Sequence, residues 1–263
     1  MKVSSLQILN CPSCGGELKS GDLIGGDSVL HGRILCLKCN KDFIIEEGIA
    51  KFISSEELSG DNKATEKFYN LFSPFYDLFN KTALLLIGGH KSVQREYLSR
   101  LDIKKGDRVL EISVGTGANI PFLSGYASEI FGLDLSAGQL RRCVKNLKKW
   151  KLGTELFLGN AEELPFKDEC FDVVFHIGGI NFFNDKEKAI KEMIRVARPG
   201  TKILLVDESE KGRKFYENVG LKFWKSEKDV ISPPVDFVPR DMRDIKLESI
   251  WKGYGYCIQF TKP

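Results

Sequence analysis

Short apolar runs alternate along the second half of the chain with longer amphipathic stretches. The runs lie at residues 109–111, 129–134, 171–177 and 202–207. The stretches between them repeat apolar residues at helical spacing, as at 136–149, where Leu140, Val144 and Leu147 form one stripe. Short runs of this kind are typical of parallel strands buried on both faces, and the amphipathic stretches are typical of the helices that cover them. The pattern therefore predicts an α/β protein with a mostly parallel sheet.

The first of these runs leads into a glycine-containing turn. It ends in Glu111, and the turn that follows contains Gly115 and Gly117. Glycine permits positive φ and lets a ligand approach the main chain closely. Residues 118–123 can then begin a helix with Pro121 in its first turn. Strand, glycine turn and helix N-terminus together predict a nucleotide-binding corner at the carboxyl end of a strand.

The spacing of the glycines narrows the choice of nucleotide. A dinucleotide fingerprint needs a third glycine where Ile120 stands, which argues against a hydride-transferring dinucleotide enzyme. A P-loop needs G-x-x-x-x-G-K-[ST], and the glycines at 88–89 have the wrong spacing. The acidic Glu111 would repel a pyrophosphate, whereas it suits a ligand that carries an amino group. The turn therefore favours a cationic nucleoside without phosphates, such as S-adenosylmethionine.

The next strand and three later motifs strengthen this interpretation. The second run ends in Asp134, and a carboxylate at a second strand end can accept both ribose hydroxyls. Further motifs follow at Gly159–Phe166, Phe171–Phe175 and Arg195–Gly200. With them, residues 62–263 resemble the class I S-adenosylmethionine-dependent methyltransferases, in particular the group that contains the ubiquinone and menaquinone C-methyltransferases. The resemblance implies a Rossmann-like, seven-stranded and mostly parallel sheet with a C-terminal antiparallel hairpin, whose strands we expect at 243–251 and 254–261.

Carried over residue by residue, the resemblance implies a cofactor site. Glu111 would face the methionine amino group, Asp134 would hold the ribose and Leu135 would cover the adenine. Ser113 stands where the family has a glycine, and a serine can be tolerated there if its φ is negative. Asn160 stands where the family has an aspartate, and it keeps an acceptor oxygen for the adenine amine. The complete predicted set is Tyr69, Glu111, Ser113, Gly115, Gly117, Asp134, Leu135, Asn160, Ala161, Glu162 and His176.

A helical and unusually aromatic segment precedes the first strand, and we expect residues 62–101 to form a cap. Pro74 is predicted to split residues 62–79 into two helices, and 84–101 should form one more. Tyr76 and Asp77 match the end of the corresponding family segment, which caps the cofactor pocket. Tyr69 and Tyr76 are the expected contacts to cofactor or substrate, since aromatic rings attract a sulfonium. Core packing or a place in the cap fits the phenylalanines equally well: Phe68, Phe72, Phe75 and Phe79.

The predicted fourth strand ends beside the place where the methyl group would be transferred. His176 and Asn181 lie there, and together with Tyr76 they are the candidate catalytic residues. His176 could act as a general base because an unperturbed histidine has a pKa near 6.5, or it could only pack and form hydrogen bonds. Methyl transfer is an in-line displacement that needs mainly alignment and the exclusion of water, so an acid–base residue is not obligatory.

Four of the seven cysteines form two C-x-x-C pairs near the start of the chain. Two such pairs predict a closed, tetrahedral and therefore structural zinc site, with two disulfides or free thiols as the alternative. The segment resembles the zinc ribbons of small proteins that activate tRNA, rRNA and release-factor methyltransferases, which makes RNA or protein docking a further possibility. We predict a zinc ribbon at 1–54, a linker at 55–61 and a methyltransferase domain at 62–263. The predicted ligands are Cys11, Cys14, Cys36 and Cys39.

Composition and charge limit the remaining functions. The net charge of +3 is too small to argue for nucleic acid by itself, although 141–149 carries five cations. No apolar run approaches the ~18 residues of a membrane span, and without a secretory pattern we expect a cytoplasmic protein. The predicted function is methyl transfer from S-adenosylmethionine, leaving S-adenosylhomocysteine, to a small molecule. RNA as the acceptor, or a non-catalytic binding module, are the alternatives.

Overall fold

The computed structural model describes residues 1–85, 89–218 and 230–263. These residues form one sheet of eleven strands with flanking helices. The strands are β1 (Leu18–Ile24), β2 (His31–Cys36), β3 (Asp42–Glu46), β4 (Ile49–Lys51), β5 (Arg108–Ile112), β6 (Glu129–Asp134), β7 (Glu155–Leu158), β8 (Val173–Ile177), β9 (Lys202–Glu208), β10 (Arg243–Ile250) and β11 (Gly255–Thr261). The helices are α1 (Gly60–Leu85), α2 (His90–Leu98), α3 (Ile120–Leu123), α4 (Ala137–Trp150), α5 (Lys186–Val196) and α6 (Glu210–Asn218).

Seven strands form the sheet that the sequence predicts for the region after residue 62. Their order is β7-β6-β5-β8-β9-β11-β10. Strands β5 to β9 are parallel, whereas β11 runs antiparallel to β9 and pairs with β10 in the expected hairpin. Nearly every residue of the five parallel strands is buried, as their apolar sequences require. The strand order reverses between β5 and β8, which places a ligand crevice at their carboxyl ends.

The first four strands extend the same sheet. Strands β1 to β4 form an antiparallel meander, and β4 pairs in parallel with β7. Phe52 continues this pairing through an N–H that donates to the carbonyl of Leu158 at 2.8 Å. Its ring lies 4.9 Å from Phe43 of the meander and 6.4 Å from Phe157 of β7, between ring centres. The core of the cysteine-containing segment is therefore continuous with the core below the parallel sheet.

A buried carboxylate adds to this junction. Glu155, at the start of β7, accepts hydrogen bonds from the backbone N–H of Lys2 at 2.6 Å and from the hydroxyl of Ser5 at 3.2 Å. These bonds satisfy a polar group that burial would otherwise destabilise. The N-terminal segment thus contacts the parallel sheet through polar as well as apolar groups.

Helix α1 corrects one prediction. It is continuous from Gly60 to Leu85, so the prediction that Pro74 splits it is wrong. Proline cannot donate to the carbonyl four residues earlier, here that of Asn70. The hydroxyl of Ser73 donates to this carbonyl at 3.2 Å instead, so the acceptor is not left unpaired. No helix within the described ranges is both long and apolar enough to cross a membrane.

The amphipathic stretch at 136–149 forms helix α4, as predicted. Ser136 caps α4 by accepting a hydrogen bond from the N–H of Gln139 at 3.1 Å. The single helix predicted at 84–101 is wrong, since α1 ends at Leu85 and α2 begins only at His90, after Gly89. Residues 86–88 of that prediction lie outside the described residues. The sequence also predicts a helix at 211–220, which corresponds to α6, and residues 219–220 of this prediction lie outside the described residues as well.

Candidate active site

A pocket of about 1010 Å³, which includes its open mouth, lies between α1 and the carboxyl ends of the central strands. Six of the predicted site residues line it: Tyr69, Tyr76, Ser113, Gly115, Asp134 and Leu135. The other predicted site residues are not part of its lining: Glu111, Gly117, Asn160, Ala161, Glu162, His176 and Asn181.

The turn after β5 is built from left-handed residues. Ser113 has a φ of +59°, so the condition of a negative φ is not met. The chain bends away from the strand here, and the N–H of Val114 donates to the carbonyl of Leu133 on β6 at 3.1 Å. Gly115 and Gly117 also have positive φ. A Cβ on Gly117 would lie 2.7 Å from the sulfur of Cys143 on α4, so this glycine permits the turn to pack against the helix.

Asp134 connects the turn to the start of α4. Its Oδ2 accepts a hydrogen bond from the N–H of Gly115 at 2.8 Å, and its Oδ1 accepts one from the N–H of Ser136 at 2.8 Å. Burial raises the pKa of this carboxyl to about 6 in spite of these bonds. Each carboxylate oxygen keeps a further lone-pair site, so Asp134 can accept two more donors from the pocket.

Glu111 lies beneath the turn with one oxygen paired and one unpaired. Its Oε1 accepts a hydrogen bond from the side-chain amide of Asn119 at 2.6 Å, whereas its buried Oε2 has no partner. Asn119 is oriented for this bond because its own oxygen accepts from Tyr97 at 2.8 Å and from Gln94 at 3.0 Å. Burial raises the pKa of Glu111 to about 8, and the nearby Asp134 adds to this effect. An unpaired buried carboxyl oxygen indicates a missing donor.

Sequence reasoning missed the residue that holds α1 against the start of α4. The side-chain oxygen of Asn70 accepts from the hydroxyl of Ser136 at 2.8 Å and from the N–H of Gly138 at 2.7 Å. A Cβ on Gly138 would lie 2.9 Å from the Cα of Asn70, so only glycine allows this approach. An asparagine in a helix carries no sequence signal for such a contact, since the partner lies 66 residues away.

A second contact of α1 involves Asp77, which the family resemblance had indicated. Its carboxylate accepts hydrogen bonds from the hydroxyl of Thr116 at 2.6 Å and from Arg142 at 3.0 Å. Burial tends to raise the pKa of Asp77, but these bonds and one from Asn146 outweigh it and lower the pKa. Asp77 therefore connects the cap to the glycine turn and to α4.

Aromatic side chains form the wall of the pocket on the α1 side. Tyr69 and Tyr76 meet edge to face at 5.9 Å between ring centres, and Phe72 meets Tyr76 at 6.4 Å. Phe68 stacks on Phe72 at 5.4 Å and also lines the pocket. Phe75 points to solvent, with 64% of its surface exposed, and the side chain of Phe79 lies outside the description.

The residues predicted at the adenine edge form contacts of their own. The side-chain oxygen of Asn160 accepts from the N–H of Glu162 at 3.0 Å. Glu162 accepts from the side chain of Asn62 on α1 at 2.8 Å and from the N–H of Asp185 at 3.1 Å. Ala161 is buried between them. These contacts hold the start of α1 near the pocket, and a role at the adenine stays a prediction.

The candidate catalytic residues His176 and Asn181 brace the loop after β8. His176 is fully buried, its Nε2 accepts from the N–H of Ile180 at 2.9 Å, and burial lowers its pKa to about 4. Asn181 donates to the carbonyl of Glu208 and accepts from the hydroxyl of Tyr256, each at 3.0 Å. These contacts favour a positioning role for both side chains, and their part in catalysis stays a prediction.

The four cysteines of the N-terminal segment meet at one point. All four sulfur atoms lie within 4.8 Å of one another, with Cys11 3.8 Å from Cys39 and Cys14 3.5 Å from Cys36. A tetrahedral site with Zn–S bonds of about 2.3 Å has edges of about 3.8 Å, so the donor set fits a zinc ion. The sulfur pairs are too far apart for disulfides, which need about 2.05 Å. A Cβ on Gly16 would lie 2.9 Å from the sulfur of Cys36.

The part of the chain that carries the glycine turn and both buried carboxyl groups is similar to methyltransferases. Residues 110–205 match the family model described as Methyltransferase domain. The demethylmenaquinone methyltransferase of Bacillus mycoides is 31% identical over 152 residues, which cover 55% of this chain and 63% of that protein. The chain thus spans less than two thirds of the length of this curated relative.

Solved structures share the fold at lower sequence identity. A chain of the complex between the Haloferax volcanii Trm112 methyltransferase activator and its methyltransferase partner has a TM-score of 0.59 at 14% identity, covering 75% of this chain and 97% of that chain. The cyclase SpnF has a TM-score of 0.57 at 15% identity, covering 78% of this chain and 97% of its own. One of these proteins is a cyclase, so the fold alone does not specify the reaction.

Proposed function

We propose that this protein is an S-adenosylmethionine-dependent methyltransferase whose acceptor is a small molecule. The observation that carries the proposal is the pair of buried carboxyl groups, Glu111 and Asp134, at neighbouring strand ends around the glycine turn. Glu111 keeps an unpaired oxygen for an ammonium group, and Asp134 keeps acceptor sites for ribose hydroxyls. Both residues fall within the matched methyltransferase region, 110–205.

The residues of the chain contribute binding, orientation and the exclusion of water. When bound, S-adenosylmethionine supplies a methyl group on a positively charged sulfur. Asp134 holds the ribose and Glu111 the amino group, which fixes the ligand at two points. The rings of Tyr69 and Tyr76 stabilise a cation beside them and keep water out of the pocket. A general base is needed only for an acceptor that must lose a proton.

The pocket lining supports a small molecule over RNA as the acceptor. The described lining residues include no lysine, arginine or histidine, whereas Glu66, Asp134 and Glu208 carry carboxyl groups. Such a lining repels the phosphates of a nucleic acid. The name of the B. mycoides relative, demethylmenaquinone methyltransferase, also contains a small-molecule acceptor.

RNA is the second candidate because of the outer face of α4. Four cations of this helix are exposed, and its sequence contains no acidic residue. An RNA bound along this face would have to deliver a single base to the pocket. The exposed cations are Arg141, Lys145, Lys148 and Lys149.

The N-terminal segment is proposed to act as a fused structural ribbon. In this proposal, its four cysteines hold a structural zinc ion, and strands β1 to β4 stabilise the sheet by pairing with β7. The H. volcanii neighbour was solved with a separate activator, whereas here the cysteine-containing segment lies in the same chain. The segment then stabilises its own domain, and protein docking through it is the alternative.

Methyl-labelled S-adenosylmethionine, the purified protein and a lysate of its source cells test the proposal together. We expect the label in the solvent-extractable fraction. Label that ribonuclease treatment releases would instead establish RNA as the acceptor. Tight binding of S-adenosylmethionine without any transfer would favour a non-catalytic module, and the absence of binding would refute the cofactor assignment.

A further inference from the structure

A further acidic residue lines the pocket on the side opposite to Asp134. Glu208 is the last residue of β9, and it lines the pocket together with Tyr69, Gly179 and Tyr216. In the sheet, β6 with Asp134 and β9 with Glu208 are separated by β5 and β8. Three steps between neighbouring strands amount to roughly 14 Å. Glu208 therefore lies across the pocket from the proposed ribose site.

The backbone of Glu208 is held firmly at this position. Its N–H donates to Oδ1 of Asp207 at 2.9 Å, and its carbonyl accepts from the side chain of Asn181 at 3.0 Å. Asp207 also accepts from the N–H groups of Gly179 at 3.1 Å and Asn181 at 2.9 Å, which fixes the neighbouring loop. Tyr256 in turn holds Asn181. These contacts hold the strand end and the loop beside it, at a position where Glu208 lines the pocket.

The surroundings of this carboxyl group favour proton uptake. Burial raises the pKa of Glu208 well above its usual range, and the adjacent Asp207 raises it further. A carboxylate with a raised pKa is a stronger base than an exposed one. The aromatic residues beside it offer ring faces to a flat ligand. They are Tyr69, Tyr76, Phe182, Phe183 and Tyr216.

We propose that Glu208 is the residue that binds the methyl acceptor and receives its proton, and that the acceptor is an uncharged small molecule with a ring hydroxyl or ring amine. This inference rests on the proposed methyltransferase function and adds the acceptor class and a catalytic residue to it. The ring packs against the aromatic wall, and its O–H or N–H donates to the carboxylate of Glu208.

The reaction balances with these groups alone. The O–H or N–H proton of the acceptor passes to the Glu208 carboxylate. The electron pair left on oxygen or nitrogen forms the new bond to the methyl carbon, and the bond between that carbon and sulfur breaks. Its electron pair stays on sulfur, which becomes the neutral thioether of S-adenosylhomocysteine. The proton then leaves Glu208 for solvent when the product departs.

Binding of two probes to the protein loaded with S-adenosylhomocysteine tests the acceptor class. We expect 2-naphthol to bind at least about tenfold more tightly than 2-naphthyl phosphate, because the acidic lining repels the phosphate. Glu208→Ala should weaken binding of 2-naphthol about fivefold, whereas Glu208→Gln keeps a hydrogen-bond partner and should retain most of it. Equal binding of the two probes, or no effect of Glu208→Ala, would overturn the proposal.

Transfer of labelled methyl groups to a protein-free small-molecule extract of the source cells tests the role as a base. Glu208→Gln should lower the rate at saturating S-adenosylmethionine about 100-fold with unchanged affinity for S-adenosylmethionine. The exposed Glu187→Gln should transfer like the wild type. A Glu208→Gln protein with the wild-type rate overturns this inference but leaves the methyltransferase proposal standing. A wild-type protein that binds no S-adenosylmethionine refutes the proposed function itself.

Discussion

Three carboxyl groups at or near the carboxyl ends of the parallel strands differ in what restrains them. Glu111 has one paired and one unpaired oxygen beneath the glycine turn, Asp134 is held by two backbone N–H groups, and Glu208 is held through its own backbone. Burial raises the pKa of all three. Such carboxyl groups are prepared for a ligand that carries positive charge and several hydrogen-bond donors.

Replacement of Asp134 should remove the proposed ribose contacts. We expect Asp134→Ala to weaken the binding of S-adenosylhomocysteine roughly 10- to 100-fold, since two hydrogen bonds to a charged group are lost. Calorimetric titration measures this loss, and the exposed Glu187→Gln serves as the control. An Asp134→Ala protein with wild-type affinity would refute the assignment.

The raised pKa of Glu111 predicts a dependence of stability on pH. Its pKa rises from 4.5 in the unfolded chain to about 8 in the folded one, so unfolding releases a proton between these values. The contribution of this group to stability is therefore complete below pH 4.5 and is lost as the pH rises towards 8. Relative to wild type, Glu111→Gln should gain roughly 2–4 kcal/mol between pH 5 and pH 8.5. Urea unfolding of the ligand-free proteins measures this gain, and parallel pH profiles would contradict the prediction.

Helix α1 covers the pocket through a few polar contacts at its inner face. Asn62 contacts Glu162, Asn70 contacts the start of α4, and Asp77 contacts the glycine turn. The N–H groups at the start of the helix find an acceptor in Asn184, whose oxygen lies 2.8 Å from the N–H of Asp61. The position of α1 thus depends on polar contacts at its start, at its middle and in its later turns.

The close approach of α1 to α4 predicts the effect of one added methyl group. Gly138→Ala would place a Cβ 2.9 Å from the Cα of Asn70, so α1 has to move. We expect a loss of about 1–3 kcal/mol in the free energy of unfolding and weaker binding of S-adenosylhomocysteine. Gly153→Ala is the matched control, since no atom lies within 4 Å of its Cβ position. Equal behaviour of the two variants would show that the contact is not needed.

The proline in α1 predicts a coupling between two neighbouring residues. The hydroxyl of Ser73 is needed because Pro74 leaves the carbonyl of Asn70 without its usual donor. Ser73→Ala should cost about 1 kcal/mol in the wild-type background and less in Pro74→Ala, where the alanine N–H takes over. Chemical unfolding of the four proteins in this double-mutant cycle measures the difference. A cost that is the same in both backgrounds would rule out the compensation.

At the scale of the whole molecule, the eleven-stranded sheet connects the cysteine cluster to the pocket. Strand β4 joins the cysteine-containing meander to β7, and β7 lies next to β6, which carries Asp134. Apolar residues of the meander and of the parallel sheet belong to one core. A disturbance at the cysteine cluster should therefore reach the pocket through paired strands and shared packing.

Metal removal tests this connection. We expect the purified protein to hold one zinc ion per chain, and we expect chelation to lower the temperature of a single unfolding transition. Cys36→Ser should reproduce the effect without a chelator. Excess zinc should restore the chelated protein but not the variant. Two separate transitions, of which only one responds to zinc, would show that the ribbon and the remaining domain unfold independently.

The sequence predicted those parts of the site that depend on short-range patterns. Glu111, the glycines after it and Asp134 follow apolar runs directly, so strand ends could be read from the order of residues. Asn70 and Glu208 could not be found in this way, because their partners are set by tertiary packing. The pairing of β4 with β7 also escaped prediction, since backbone hydrogen bonds carry no side-chain signature.

The parallel pairing of β4 with β7 joins two strands that are synthesised at different times. The ribosome releases β4 about a hundred residues before β7, which at usual elongation rates is a wait of about 5–20 s. During this time the strand edge has no partner and is open to pairing with other nascent chains. All four cysteines emerge before β4 does, so a zinc ion can shape the segment early. Zinc supply would then govern the yield of newly made protein even where the finished molecule retains its metal.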